Sequence, residues 1–183
     1  MTKYKTYPIE VAGIQRDLRL FEVAPGVQIA ILNILGDTEL AQACSQELAQ
    51  RLQGMDYDVI VTAEAKSIPL AYALSLETKK PYVVLRKTYK SYMGDAIQAE
   101  TLSITTGQSQ TLILDEKDRE LMQGRKVVIL DDVISTGSTL QGMRLIVEKV
   151  GASVAAEAAI FTEGDRAQWR HIISLGHLPL FKD

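Results

Sequence analysis

The run Val127-Val128-Ile129-Leu130 carries no polar side chain and ends on two adjacent carboxylates, Asp131 and Asp132. An uninterrupted apolar strand is the pattern of a chain covered on both faces, as in a parallel sheet flanked by helices. The rest of the sequence supplies matching elements. Tyr57–Ala63, Pro81–Leu85 and Ser153–Phe161 read as further short apolar strands. Between them, apolar residues fall at helical spacing. Leu40, Cys44, Leu48 and Leu52 follow a candidate N-cap at Asp37, and Cys44 on that stripe is expected to pack as a small hydrophobe. Leu70, Ala73 and Leu74 follow Ile68, with Pro69 tolerated in the first turn; Leu140, Met143, Val147 and Val150 precede a C′ stop at Gly151. Strand–helix alternation predicts an α/β fold, doubly wound, with a mainly parallel sheet and right-handed crossovers. The 183 residues suit one domain over 1–183, since domains run to about 100–200 residues.

Two segments break the alternation. Thr6–Val11 and Asp17–Val23 predict an N-terminal hairpin, followed by the β-branched run Val27–Ile34. The second segment is the long connection 87–123. Within it Thr101–Thr106 and Gln110–Leu114 read as a hairpin around Gly107-Gln108. Thr88–Gln98 is polar, so Lys87–Gln98 is expected to have few apolar anchors and to act as a mobile lid.

Composition excludes several classes. Lys and Arg total 20 against 23 Asp and Glu, for a net charge of -3, which argues against nucleic acid as a partner. The single cysteine cannot make an internal disulfide, and no apolar run is long enough to span a membrane or form a secretory leader. A cytoplasmic protein with no membrane partner is the expectation. His171 and His177 lack cysteine partners at metal spacing and are expected to be structural or solvated. Trp169 and Phe181 are expected to pack the C-terminal segment or a subunit contact, and Asp115–Asp118 to be a solvated loop.

The chemistry concentrates after Leu130. Open α/β sheets bind ligands beyond the C-terminal ends of their strands, which is where Asp131 and Asp132 stand. Ionised carboxylates accept hydrogen bonds from O–H groups, so vicinal sugar hydroxyls are natural partners. Ser135, Thr136, Gly137, Ser138 and Thr139 then combine hydroxyls, a glycine and backbone N–H groups at a helix N-terminus. That combination suits a phosphate. A helix cap alone would not need all of these groups.

The segment from Val127 to Leu140 resembles the signature of the type I phosphoribosyltransferases, which bind 5-phosphoribosyl 1-diphosphate (PRPP). The resemblance implies that Asp131 and Asp132 hold the ribose hydroxyls and that Ser135 through Thr139 hold the 5-phosphate. Glu64-Ala65-Lys66-Ser67 resembles the diphosphate loop of adenine phosphoribosyltransferases, with Lys66 in place of Arg and Ser67 in place of Gly. Lysine keeps the charge but not the bidentate fork. Val83-Val84-Leu85-Arg86-Lys87 is similar to the family's Val-Arg-Lys stretch. Ala65, Lys66, Arg86 and Lys87 are therefore the expected diphosphate group, with Lys87 counted beside Asp131 and Asp132 among the catalytic residues. Residues 1–35 would form the hood over the base, with Ile31, Leu32 and Asn33 as base contacts.

What the resemblance implies is transfer of the 5-phosphoribosyl group from PRPP to a purine base, adenine-type first. Mg²⁺ is expected as cofactor, carried by PRPP, with Asp131 the candidate for contact through water. A homodimer is expected. The sequence departs from the adenine pattern at Ile31-Leu32-Asn33-Ile34, where those enzymes read Phe-Arg-Asp-Ile, and at Thr106, where a loop glutamate is usual and Glu100 could substitute. Two alternatives stand beside it: a xanthine-type enzyme, and a regulatory domain that binds PRPP or a nucleotide without transferring anything. An orotate-type enzyme fits the PRPP segment but not the hood order.

Overall fold

The structure, a computed structural model, describes residues 4–102 and 109–182. Its elements in chain order are β1 (Thr6–Val11), β2 (Ile14–Ala24), β3 (Val27–Ile31), α1 (Thr38–Arg51), β4 (Val59–Ala63), α2 (Ile68–Thr78), β5 (Tyr82–Leu85), β6 (Ile97–Leu102), β7 (Ser109–Leu114), α3 (Arg119–Met122), β8 (Lys126–Ile134), α4 (Ser138–Lys149), β9 (Ser153–Glu163), β10 (Ile173–Leu178) and β11 (Phe181–Lys182). The central sheet has five parallel strands in the order β10-β9-β8-β4-β5.

The alternation of β8 explains the two layers. Val128 and Leu130 join one buried cluster with Leu40, Cys44 and Leu48 of α1 and Leu70 and Leu74 of α2. Val127 and Ile129 point the other way, into a cluster with Met143, Ile146 and Val147 of α4 and Leu112 and Leu114 of β7. Both faces are covered, so no polar side chain fits in that run. Cys44 is fully buried, which pushes its thiol up to about 12 and keeps it a packing group. No helix among the described residues is long and apolar enough to cross a membrane.

Val27–Ile31 is antiparallel to β2 and lies outside the central sheet, whose fifth strand is β10. The chain then returns, and β11 pairs with β3 through Phe181↔Gln28. The segment expected to form a hood is thus part of a four-stranded antiparallel sheet, β1-β2-β3-β11, which β11 joins from near the other end of the chain. Phe181 meets Tyr7 edge-on at 5.0 Å between ring centroids. Arg16 of β2 fastens this sheet to the core through Asp37, the N-cap of α1, at 2.8 and 2.9 Å.

In the 87–123 connection, β6 and β7 form the expected hairpin; its tip, including Thr106, lies outside the described residues. The hairpin lies on α4 at Gly142, where a Cβ would come within 2.9 Å of Leu112 Cδ1. The stretch before it has a firmer anchor than its polarity suggested. Met93 is fully buried, Glu116 accepts from the Asp95 N–H at 2.9 Å, and Arg119 pairs with Asp95. Asp115 and Asp118, expected to be solvated, are buried, and the Asp115 carboxylate accepts from the Lys117 N–H.

Candidate functional site

The site forms where the central sheet loses a strand pairing. β8 pairs with β4 only as far as Leu130↔Thr62, but it continues along β9 from Asp131↔Ala159 to Ile134↔Thr162. The acidic pair is therefore still strand, one edge hydrogen-bonded to β9 and the other opened by the departure of β4. The loop leaving β4 turns across that opening. Thr62 Oγ1 ties the two strands at their last common point by donating to the Leu130 carbonyl at 2.8 Å.

The loop 64–67 makes contacts in three directions. The Glu64–Ala65 peptide is cis. Glu64 accepts from Arg86 Nε at 2.8 Å and from the Lys87 N–H at 2.5 Å. Burial works to raise the Glu64 carboxyl, but those two donors outweigh it and hold it below the usual range. Lys66 Nζ donates to the Leu32 carbonyl at 3.3 Å, reaching the start of the hood connection. Ser67 Oγ donates to Asp131 Oδ1 at 2.8 Å. Ala65, Lys66 and Lys87 are exposed, while Arg86 is already paired with Glu64. The ring of diphosphate candidates thus has three accessible members and one guanidinium shared with a carboxylate.

Asp131 and Asp132 stand close enough to affect each other's charge. Burial first, and the neighbouring Asp132 second, push the Asp131 carboxyl up to about 7. Its Oδ1 accepts from the Ser67 hydroxyl at 2.8 Å and from the Asp132 N–H at 2.9 Å, and the Asp132 carboxyl lies within hydrogen-bonding reach of the Asp131 carboxyl. A carboxylate held by one oxygen suits a ligand hydroxyl.

Beyond them, α4 begins without a side-chain cap. Its N-cap is Gly137, at φ +79°, and the helix's first turn faces the concavity lined by Asp131 and residues 133–140. Thr136 Oγ1 and Ser138 Oγ lie 3.2 Å apart at its rim, and Thr139 Oγ1 donates to Gln110 of the hairpin at 3.3 Å. Uncapped N–H groups and the positive end of the helix make an anion seat. Trp169 lies directly behind Gly137: a Cβ there would sit 2.8 Å from the ring's Cη2. Its own Nε1 donates to the Glu163 carbonyl at 3.0 Å, which fixes the ring.

The base candidates are less uniform. Leu32 is buried in the core, so its carbonyl rather than its side chain faces the loop at Lys66. Ile31 is half-buried and Asn33 exposed. Glu100, the candidate to replace a loop acid, is exposed on β6 opposite Thr111. The roles of Ser67, Glu64 and Trp169 escaped the sequence reading. For Glu64 a signal existed: parallel pairing of β4 with β5 sets Ala63 beside Leu85 and so Glu64 beside Arg86. Trp169 carried no such signal. No group of three or more His, Cys, Asp or Glu gathers among the described residues, so a metal here would depend on the ligand's own oxygens.

Two outcomes follow from this geometry. Gly137 and Gly151 flank α4 at φ +79° and +75°, but Gly151 faces open space. Replacing either by alanine should cost about 1–2 kcal/mol through its positive φ. Gly137→Ala must also displace Trp169, so its urea midpoint should fall further than that of Gly151→Ala; equal falls would deny the contact.

The second concerns pH. Burial and the neighbouring Asp132 raise the Asp131 carboxyl above its unfolded value, so between the unfolded and folded values the folded chain binds more protons. Its contribution to stability is full below the lower value and is lost as pH rises through the upper one. Asp131→Asn should remove that loss. Unliganded wild type should therefore lose more stability than the variant between about pH 5 and 8, by on the order of a few kcal/mol. Parallel melting curves would contradict this.

Comparison with known proteins agrees with the site. Residues 32–173 match the phosphoribosyl transferase domain family. An orotate phosphoribosyltransferase from Archaeoglobus fulgidus is 35% identical over 67% of this chain and 58% of its own length. The purine biosynthesis transcriptional repressor of Bacillus subtilis is 29% identical over 73% of this chain and 46% of its own. An adenine phosphoribosyltransferase from Agathobacter rectalis is 33% identical over 68% of each. The chain thus spans little more than half of the first of these relatives and less than half of the second. Among solved structures, adenine phosphoribosyltransferase from Thermoanaerobacter pseudethanolicus superposes with a TM-score of 0.68 at 22% identity, covering 94% of this chain and 95% of that one, which establishes the shared fold. With the acidic pair, the uncapped helix and the loop from β4 gathered at one sheet edge, the chain belongs to the phosphoribosyl transferase domain family.

Proposed function

We propose that the protein transfers the 5-phosphoribosyl group of PRPP to a purine base, adenine first, releasing diphosphate. The observation that carries this is the meeting of three groups at the β8 edge. Asp131 offers a carboxylate oxygen, α4 begins on uncapped N–H groups, and the 64–67 loop reaches Asp131 through Ser67 at 2.8 Å. Those are the needs of a ribose that carries a 5-phosphate on one side and a diphosphate on the other. The adenine reading draws support from the Agathobacter relative and from the Glu-Ala-Lys-Ser loop.

In the reaction the bond from C1′ to the diphosphate oxygen breaks, the diphosphate leaves with the electron pair, and a base nitrogen bonds to C1′. Asp131 and Asp132 hold the ribose hydroxyls while positive charge develops on the sugar. The α4 N-terminus fixes the 5-phosphate, so that C1′ is presented in one orientation. Lys66 and Lys87 offset charge on the leaving diphosphate, and Glu100 is the candidate to take the base's proton. The adjacent carboxylates fit a magnesium ion carried by PRPP, since they are hard oxygen donors and Mg²⁺ takes one or two carboxylates beside phosphate oxygens and water. When bound, the ion would neutralise negative charge on the diphosphate, with Asp131 holding it through water. A homodimer belongs to this reading, because α2 leaves Tyr72 and Leu76 exposed at 53% and 61%.

A second reading, a PRPP- or nucleotide-binding regulator, is favoured by the likeness to the repressor. One assay separates the two. Diphosphate release from PRPP and Mg²⁺ is measured with adenine, xanthine, hypoxanthine, guanine and orotate. Adenine should give the highest kcat/KM. Fastest release with xanthine would move the reading to the xanthine type, and PRPP binding with no release from any base would leave the regulator.

A further inference from the structure

Ser67 stands where the resemblance leads one to expect glycine, and it is 2% exposed. It is the N-cap of α2, yet its hydroxyl makes no capping bond to that helix. A buried hydroxyl needs partners, and serine at this position ordinarily finds them on its own first turn. Here they lie across the site. Ser67 Oγ is 2.8 Å from Asp131 Oδ1 and 3.4 Å from Asp132 Oδ1, and it accepts the Asp132 N–H at 3.2 Å. A hydroxyl has one proton, so the shorter contact takes it, while the single Asp132 N–H is shared between Ser67 Oγ at 3.2 Å and, more closely at 2.9 Å, Asp131 Oδ1.

We infer that Ser67 is a positioning residue, whose hydroxyl fixes the Asp131 carboxylate so that its second oxygen meets the ribose hydroxyls. Together with the Asp132 N–H at 2.9 Å, it gives Asp131 Oδ1 two donors. Two donors on one oxygen fix the plane of the carboxylate, and Oδ2 is left facing the ligand. The adjacent Lys66 reaches the other way, to the Leu32 carbonyl, so consecutive residues of one loop link the hood connection to the ribose-binding strand. Glycine at 67 could carry the same backbone, φ -79° and ψ -6°, but not the bond. This inference rests on the ribose-holding role proposed for the acidic pair.

The test is calorimetric binding of adenosine 5′-monophosphate and its 2′,3′-dideoxy form, which lacks the hydroxyls at issue. Wild type should bind the first more tightly than the second. Ser67→Ala, nearly isosteric, should weaken the first by roughly tenfold and leave the second unchanged, as expected for loss of one hydrogen bond to a charged group. Ser67→Thr keeps a hydroxyl and should restore part of the difference. Equal weakening of both ligands by Ser67→Ala would mean a merely structural serine. Undiminished discrimination would mean that Asp131 orients itself; either result overturns the inference. A wild type that fails to discriminate would instead remove the ribose-holding reading, and this inference with it.

Discussion

Strand β8 is covered on both faces from Val127 to Leu130, and it next carries charge only where β4 stops pairing beside it. Everything in the site follows from that termination. Because β9 keeps pairing as far as Ile134, Asp131 and Asp132 are held on rigid backbone rather than on a loop. Because β4 leaves, its loop has room to turn across the pair and bring Ser67 against Asp131. Half-buried Asp131 beside buried Asp132 is an unfavourable juxtaposition of like charges, which, second to burial, works to raise the Asp131 carboxyl.

The rest of the molecule holds the surroundings of that edge in place. Trp169, fixed by its bond to the Glu163 carbonyl, backs the glycine that opens α4. His177 helps secure the same loop: it lies 2.9 Å from Thr162 Oγ1 and 3.1 Å from the Gly164 carbonyl. The hood is tied down at separate points, through Arg16 to Asp37 and through β11 to β3. The Arg16 guanidinium at Asp37 holds that carboxyl below its ordinary range while Asp37 caps α1. Glu64 occupies Arg86, so the exposed cations nearest the loop are Lys66 and Lys87.

Much of this was legible in the residues. Apolar runs gave β4, β5 and β8, and helical spacing gave α1, α2 and α4, because in a doubly wound sheet pattern and burial coincide. Asp131 to Thr139 could be singled out as a candidate site because hydroxyls, glycine and carboxylates meet in one short stretch. β10 was hidden since Ser174, Gly176 and His177 interrupt it, as an edge strand tolerates. β11 is two residues long and gains its meaning only from β3. The Ser67–Asp131 bond joins residues whose meeting requires the parallel register Thr62↔Leu130. The substitution at 67 was visible, but its partner was not.

The proposed function requires that the β8 edge bind PRPP through its carboxylates. Its most direct test is calorimetric titration of PRPP with Mg²⁺ into wild type and the Asp131→Asn, Asp132→Asn double variant. Each charge-assisted bond contributes roughly 1.5–3 kcal/mol, so the variant should lose at least about tenfold in affinity while keeping its far-ultraviolet dichroism. Equal affinity of the two folded proteins would contradict the account.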